Sequence, residues 1–274
     1  MISQKVSSSI WKTLVYIATI LTFGVLIFLV AYILINGIPY LKPSLFSLTY
    51  TSENVSLVPA AVNTLIMTVL SLAIAIPFGL FTAVYLVEYA KRGNRFVELI
   101  RLTAETLSGI PSIVYGLFGL LFFVTYLGWG YSLIAGAATL SIMILPLIMR
   151  TTEEALKSVP DTYREASFGL GAGRLRTIFR IVLPAAVPGI LAGVILAVGR
   201  IVGETAALIY TAGTVAQMPE SIMSSGRTLA LHMYTLSSEG LHTNEAYATA
   251  VVLLLLVLGI NTVSAMIAKR VTKI

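Results

Sequence analysis

The sequence predicts an all-α integral membrane protein with six transmembrane helices, and three observations carry that prediction. Of its 274 residues, 57% are apolar and only 11% charged, with a mean hydropathy of +0.93, whereas a soluble domain carries charge on about a quarter of its residues. Six apolar runs approach the ~20 residues that a helix needs to cross a bilayer. The third observation is the placing of Lys and Arg: 15 fall in one set of alternate segments, 2 in the other, and Arg200 falls inside a run. The positive-inside rule puts the 15, and with them both termini, in the cytoplasm.

The runs cover residues 14–36, 62–87, 107–127, 131–149, 186–210 and 246–268. The first is too long for a signal-peptide core and has no small-x-small cleavage site, so it reads as a span. Only Gly128-Trp129-Gly130 separates the third from the fourth, which predicts a tight helical hairpin. Pro77 in the second run and Pro146 near the end of the fourth each remove a backbone donor and are expected to kink their helices. The outer segments are then 37–61, the Gly-Trp-Gly turn and 211–245. His232 and His242, the only histidines, lie in the last of these and read as polar loop residues. Residues 222–234 in the same segment are amphipathic enough to lie at the surface or dip into an entrance.

Several classes are excluded or disfavoured. Without cysteine there are no disulfides or thiolate metal sites. The net charge of +6 fits basic loops facing anionic lipid headgroups, not nucleic acid. No nucleophile–base pair or His/Glu/Asp metal constellation falls in the spans, so the chain does not read as an enzyme. There is also no internal repeat of the kind that marks inverted-repeat secondary transporters.

The largest cytoplasmic loop, 150–185, has the most local structure. It opens with a short polar helix over 151–158, closed by Pro160. Asp161 or Thr162 can cap a second helix, with Arg164 and Glu165 in its first turns. Gly169, Gly171 and Gly173 end that helix, and an amphipathic run over 174–182 continues to Pro184. The glycines do not form a phosphate loop: the G-x-x-x-x-G-K-[ST] spacing is missing and a helix, not a strand, precedes them. Energy must then come from a partner or a gradient.

Glu165-Ala166-Ser167, Gly171 after three residues, and Ile181-Val182-Leu183-Pro184 after nine more resemble the EAA motif of ABC importer permeases, E-A-A-x3-G-x9-I-x-L-P. Ser167 in place of the second Ala is the one departure. The resemblance implies a type I ABC importer permease (MetI-like) fold. It also implies that the short helix is a coupling helix docking into a cytoplasmic ATPase, with small residues allowing close approach and Glu165 offering charge. The plainer alternative is an ordinary helix lying at the membrane interface. SGIPSIVYGLFGLLFF (108–123), GRIVGETAALIYTAG (199–213) and VLLLLVLGIN (252–261) are similar to the PstA-type permease subunits of phosphate ABC importers. That likeness covers about residues 60–270, and the PstC-type sister permease carries a similar Arg-x-x-Gly-Glu-Thr stretch. Residues 1–59 are accordingly a tail, first span and outer loop, and 60–274 a five-helix permease core.

The resemblance implies partners as well: a PstC-type second permease, two PstB-type ATPases that hold ATP and Mg, and a PstS-type phosphate-binding protein. The chain itself would bind no cofactor. Its alternatives are a permease for molybdate or sulfate, or a transporter independent of any ATPase.

Arg200 and Glu204 are the costly residues, at about 2.5–3.5 kcal/mol each near the centre of a membrane helix. On one continuous helix, Gly189, Gly193, Ala197, Arg200, Glu204 and Ala207 fall on a single stripe, where small residues let a neighbour approach. An i,i+4 pair with the base first is worth only about 0.2–0.5 kcal/mol, too little to offset both insertions. An oxyanion pathway is the stronger reading, since a guanidinium forks onto phosphate oxygens and an ionised carboxylate accepts a hydrogen bond from the protonated oxygen of hydrogen phosphate but repels sulfate.

Overall fold

A computed structural model describes residues 4–91 and 93–272, and contains helices and turns with no strand among the described residues. Arg92, one of the basic residues counted in the second loop, lies outside them. Helix α1 (Gln4–Gly37) is a 34-residue apolar rod. Pro39 and Pro43 then open two 3-10 turns, Ile38–Tyr40 and Pro43–Phe46, where a fixed φ and a missing donor cost nothing. Helix α2 (Val58–Val84) starts with Pro59, runs through Pro77 and finishes in a π-helical turn, Tyr85–Tyr89.

The next stretch departs from expectation. Residues 95–108 form a helix of their own, α3 (Arg95–Ser108), capped by the Asn94 side chain accepting from Phe96 N at 3.0 Å. The chain bends by 102° before α4 (Ser112–Gly119) and its π-helical continuation, Leu120–Tyr126. The third span thus begins at 112, not 107, because Pro111 removes a donor and pushes Ile110 out of helical backbone. Its 15 residues make a rod only about 22 Å long.

Gly128 and Gly130, at φ +68° and +64°, supply the left-handed turn of the predicted hairpin. Ser132 caps α5 (Leu133–Lys157), its hydroxyl accepting from Ala135 N at 3.3 Å. The separate helix expected over 151–158 is the end of α5, because no residue before Pro160 breaks the pattern. Helix α6 (Asp161–Gly169) is capped by Pro160, with no side-chain cap from Asp161 or Thr162. Helix α7 (Arg174–Thr177), a π-helical turn (Ile178–Val182) and α8 (Leu183–Val202) form one run, Arg174–Val202, that absorbs Pro184 and Pro188. Helices α9 (Ala206–Ile209), α10 (Leu229–Glu239) and α11 (Thr243–Thr272) complete the chain.

Five helices are long and apolar enough to cross a membrane, and six if the bent α3–α4 pair counts as one. Helix α5 is the central one, packed mainly against α2 and α8. Its Ser141 hydroxyl donates to the Ser71 carbonyl of α2 at 3.1 Å, and a Cβ on Gly79 of α2 would stand 2.8 Å from the Ile148 side chain. Met67, Leu140, Met143, Ile144 and Ile201 fill the middle. Val84, Leu86, Val97, Leu156 and Val182 fill the end that carries α6, and Leu45, Leu57, Leu229 and Leu236 fill the opposite end. By contrast α1 leans on α11 and no residue of its most apolar window is buried.

Candidate translocation site and the motif-bearing loop

Helix α8 does not run through Glu204. It stops at Val202 with Gly203 as its C-cap, and the chain restarts as α9 after Thr205. Arg200 is therefore in the last turn of one helix, and Glu204 precedes the first turn of another, where its Oε1 accepts from Ala207 N at 3.0 Å. Each charge sits at the helix end whose dipole favours it. This corrects the single stripe expected on a continuous helix: Gly189, Gly193, Ala197 and Arg200 share α8, but Glu204 and Ala207 lie beyond the break. No ion pair joins Arg200 to Glu204.

Glu204 is buried, whereas Arg200 is half-buried and makes no side-chain hydrogen bond among the described residues. The Arg200 charge reaches Tyr115 on α4, whose hydroxyl donates to the Leu107 carbonyl at 2.8 Å. Non-helical backbone at membrane depth persists only where protein covers it or water lines it. Helix α4 supplies the cover: a Cβ on Gly116 would stand 2.8 Å from the Ala207 Cα, and Gly119 is pressed against Thr139 and Thr211. The small face of α8 meets a helix as expected, and that helix is α5, with Gly189 against Ala155 and Gly193 against Thr151.

In the motif-bearing loop, Glu165 and Ala166 are exposed and Ser167 is buried. Ser167 explains its own departure from Ala, since its hydroxyl bonds the Thr177 hydroxyl at 2.8 Å and so ties α6 to α7. Gly171 has φ +80°, a conformation that a side chain would strain. Ile181 and Pro184 are exposed and Leu183 is half-buried. Around α6 lie Leu170, 90% exposed, with Tyr163 and Phe168, beside a groove of about 600 Å³ flanked by Arg176 and Arg180. This apolar-and-basic surface is left exposed among the described residues.

The opposite end holds residues that the sequence misled on. His232 is fully buried in α10, its Nε2 3.3 Å from the Val55 carbonyl. Val55 is a β-branched residue at φ +39°, a strained backbone that needs such a hold. Burial above all, then the Arg227 charge, lowers the His232 pKa to about 3, against a smaller opposite effect of the Val55 carbonyl. Arg227 is itself 5% exposed, with Nε and Nη2 unpaired and its guanidinium 4.9 Å from the Tyr50 ring centroid. The amphipathic 222–234 stretch is thus folded into the body, with Leu229 N donating to Thr64 Oγ1 at 2.9 Å and Ile134 N to the Ile222 carbonyl at 2.9 Å.

Residues 75–273 match the family described as "Binding-protein-dependent transport system inner membrane component". The chain belongs to this family. The permease is 36% identical over 236 residues to "Probable ABC transporter permease protein YqgI" of Bacillus subtilis, covering 80% of this chain and 79% of that protein. It is 38% identical over 210 residues to "Phosphate transport system permease protein PstA" of Mycobacterium leprae, covering 74% and 67%. Among solved structures, the permease resembles a chain of a bacterial ABC transporter involved in the import of the acidic polysaccharide alginate. The TM-score is 0.70 at 17% identity, covering 98% of this chain and 100% of that one. A chain of the inward-facing MetNI methionine ABC transporter gives a TM-score of 0.65 at 24% identity, covering 79% and 96%. At those identities the likeness speaks for the fold alone, and it agrees with the MetI-like architecture that the motif implied. The molecule is therefore a membrane-embedded ABC transporter permease subunit.

Proposed function

We propose that this permease subunit imports phosphate and that Arg200 is its transient anion site. The observation that carries this reading is a half-buried guanidinium with no carboxylate partner, placed where α8 breaks. The relatives named as phosphate transport permeases support the choice of cargo. A permanently paired arginine could not exchange ligands, whereas an unpaired one can fork onto two phosphate oxygens. Glu204 has one oxygen committed to Ala207 N, which leaves the other to accept from the protonated oxygen of hydrogen phosphate. Sulfate brings no such proton and meets repulsion.

The exposed apolar surface of α6 and the motif residues Glu165, Ala166, Gly171 and Ile181 dock the ATPase. Both termini then face the cytoplasm across a prokaryotic plasma membrane. The complete importer adds a PstC-type permease, two PstB-type ATPases carrying ATP and Mg, and a PstS-type binding protein delivering cargo to the opposite end. In reconstituted complex, Arg200→Gln abolishes phosphate uptake while assembly and ATP hydrolysis persist, and Glu204→Gln narrows the preference for phosphate over sulfate. Normal uptake by Arg200→Gln removes that residue from the pathway, and better transport of molybdate or sulfate than of phosphate by the native complex replaces the cargo.

A further inference from the structure

The coupling loop carries an arginine whose donors are all engaged. Arg164, in the second turn of α6, uses Nε and Nη2 on Glu88 Oε1, at 3.1 and 2.7 Å. The remaining N–H groups reach the Leu156 carbonyl from Nη2 (3.0 Å), and the Val159 carbonyl (2.8 Å) and Asp161 Oδ1 (3.1 Å) from Nη1. A guanidinium has five donors, so none is left over. Glu88 and Arg164 side chains are only 8% and 14% exposed, and a buried pair is stable only when its hydrogen bonding is completed in this way. The pair joins residues 76 apart in the chain.

The partners belong to different bodies. Leu156 and Val159 mark the end of α5, while Glu88 lies in the π-helical turn that finishes α2. Such turns insert a residue and re-aim the side chains after them, and they recur at functional sites. One turn earlier in α5, Glu153 receives both Arg101 of α3 (2.7 Å) and Lys157 (2.6 Å). Helix α6 is therefore fastened to the α2–α5 block, which also packs most extensively within the bundle. Toward α8, α6 is tied by the Ser167–Thr177 hydroxyl pair at 2.8 Å and packs on α7 and the π-helical turn that follows it.

We infer that Glu88 is the positioning residue through which α6 drives α2 and α5 as one rigid body. This rests on the reading that α6 docks the ATPase. It makes Glu88, far from the motif in sequence, a determinant of coupling and not of docking.

The test uses the assembled importer in vesicles with phosphate-loaded binding protein. Glu88→Gln is expected to keep assembly and ATP hydrolysis while phosphate imported per ATP hydrolysed falls roughly tenfold, in line with coupling effects of mutations along such networks; an unchanged ratio overturns the inference. Because the chain has no cysteine, a Glu88→Cys, Arg164→Cys double variant can be joined by a short bis-maleimide. Bodies that move together tolerate the link, so the ratio recovers on crosslinking; bodies that must slide are frozen, and a ratio that stays low or worsens overturns the inference. The crosslinked protein decides if Glu88→Gln fails to assemble. Leu170→Glu, on the exposed face of α6, reports on docking alone: if ATPase binding and import survive it, the docking reading fails whatever Glu88 does.

Discussion

Two buried arginines, one at each end of the bundle, are treated in opposite ways. Arg164 has every donor satisfied and a carboxylate against it, whereas Arg227, more deeply buried, has two unpaired nitrogens and only the face of Tyr50 for company. The first is a joint, since breaking it would strand a charge. The second is a cation held in place by packing, and its free energy depends on whatever the surroundings supply when the transporter changes state.

Mutating both to the same apolar residue separates these descriptions most sharply. Arg164→Met leaves Glu88 buried without a cation, and the loss of stability should be about 3–5 kcal/mol, read as a lower thermal midpoint of the assembled complex in detergent. Arg227→Met removes an uncompensated charge and forfeits a cation–π contact worth about 1 kcal/mol, so its midpoint should hold or rise. Equal losses at the two sites would mean that Arg227 has a partner in the native assembly.

The Arg227 end also has its own pH dependence. The folded state keeps His232 neutral to about pH 3, while the unfolded chain takes up a proton near 6.5. Stability from this residue is therefore complete above pH 6.5 and lost as pH falls from there toward 3. Hydrogen exchange over α10 should speed up across that window, and His232→Gln should flatten the response. An unaltered profile in that variant would assign the pH effect elsewhere.

The smallest effect is expected at the motif itself. Ser167→Ala removes the hydroxyl pair with Thr177, but Thr177 retains its bond to the Gly173 carbonyl at 3.2 Å. The cost should be about 1 kcal/mol or less, with uptake nearly normal. A large defect would mean that the hydroxyl does more than tie α6 to α7.

What could be read in advance follows the range of the forces involved. The hairpin turn, the motif-bearing loop and four of the spans come from apolar length, glycine and proline, which are local, and lie close to where the sequence placed them, whereas the third span starts five residues later and the fifth breaks at Gly203. The helix over 95–108 also had a local signal, Asn94 as cap with Glu98, Arg101 and Glu105 at helical spacing, that apolar run-counting passes over. Gly203-Glu204-Thr205 likewise holds a helix stop followed by capping residues, masked by the strong hydropathy on both sides. The Glu88–Arg164 joint and the burial of His232 have no local signal, because each depends on elements brought together across 76 and 177 residues. The motif pattern located α6 but was silent on what holds it.

The brevity of the third span has an electrical consequence. A 15-residue rod falls well short of a ~30 Å hydrocarbon layer, a mismatch that a bilayer meets by local thinning or by association of the short helix with others. Tyr115 on that rod is within reach of the Arg200 charge. An anion at the proposed Arg200 site would then pass beside this short rod, where any local thinning shortens the dielectric barrier it crosses.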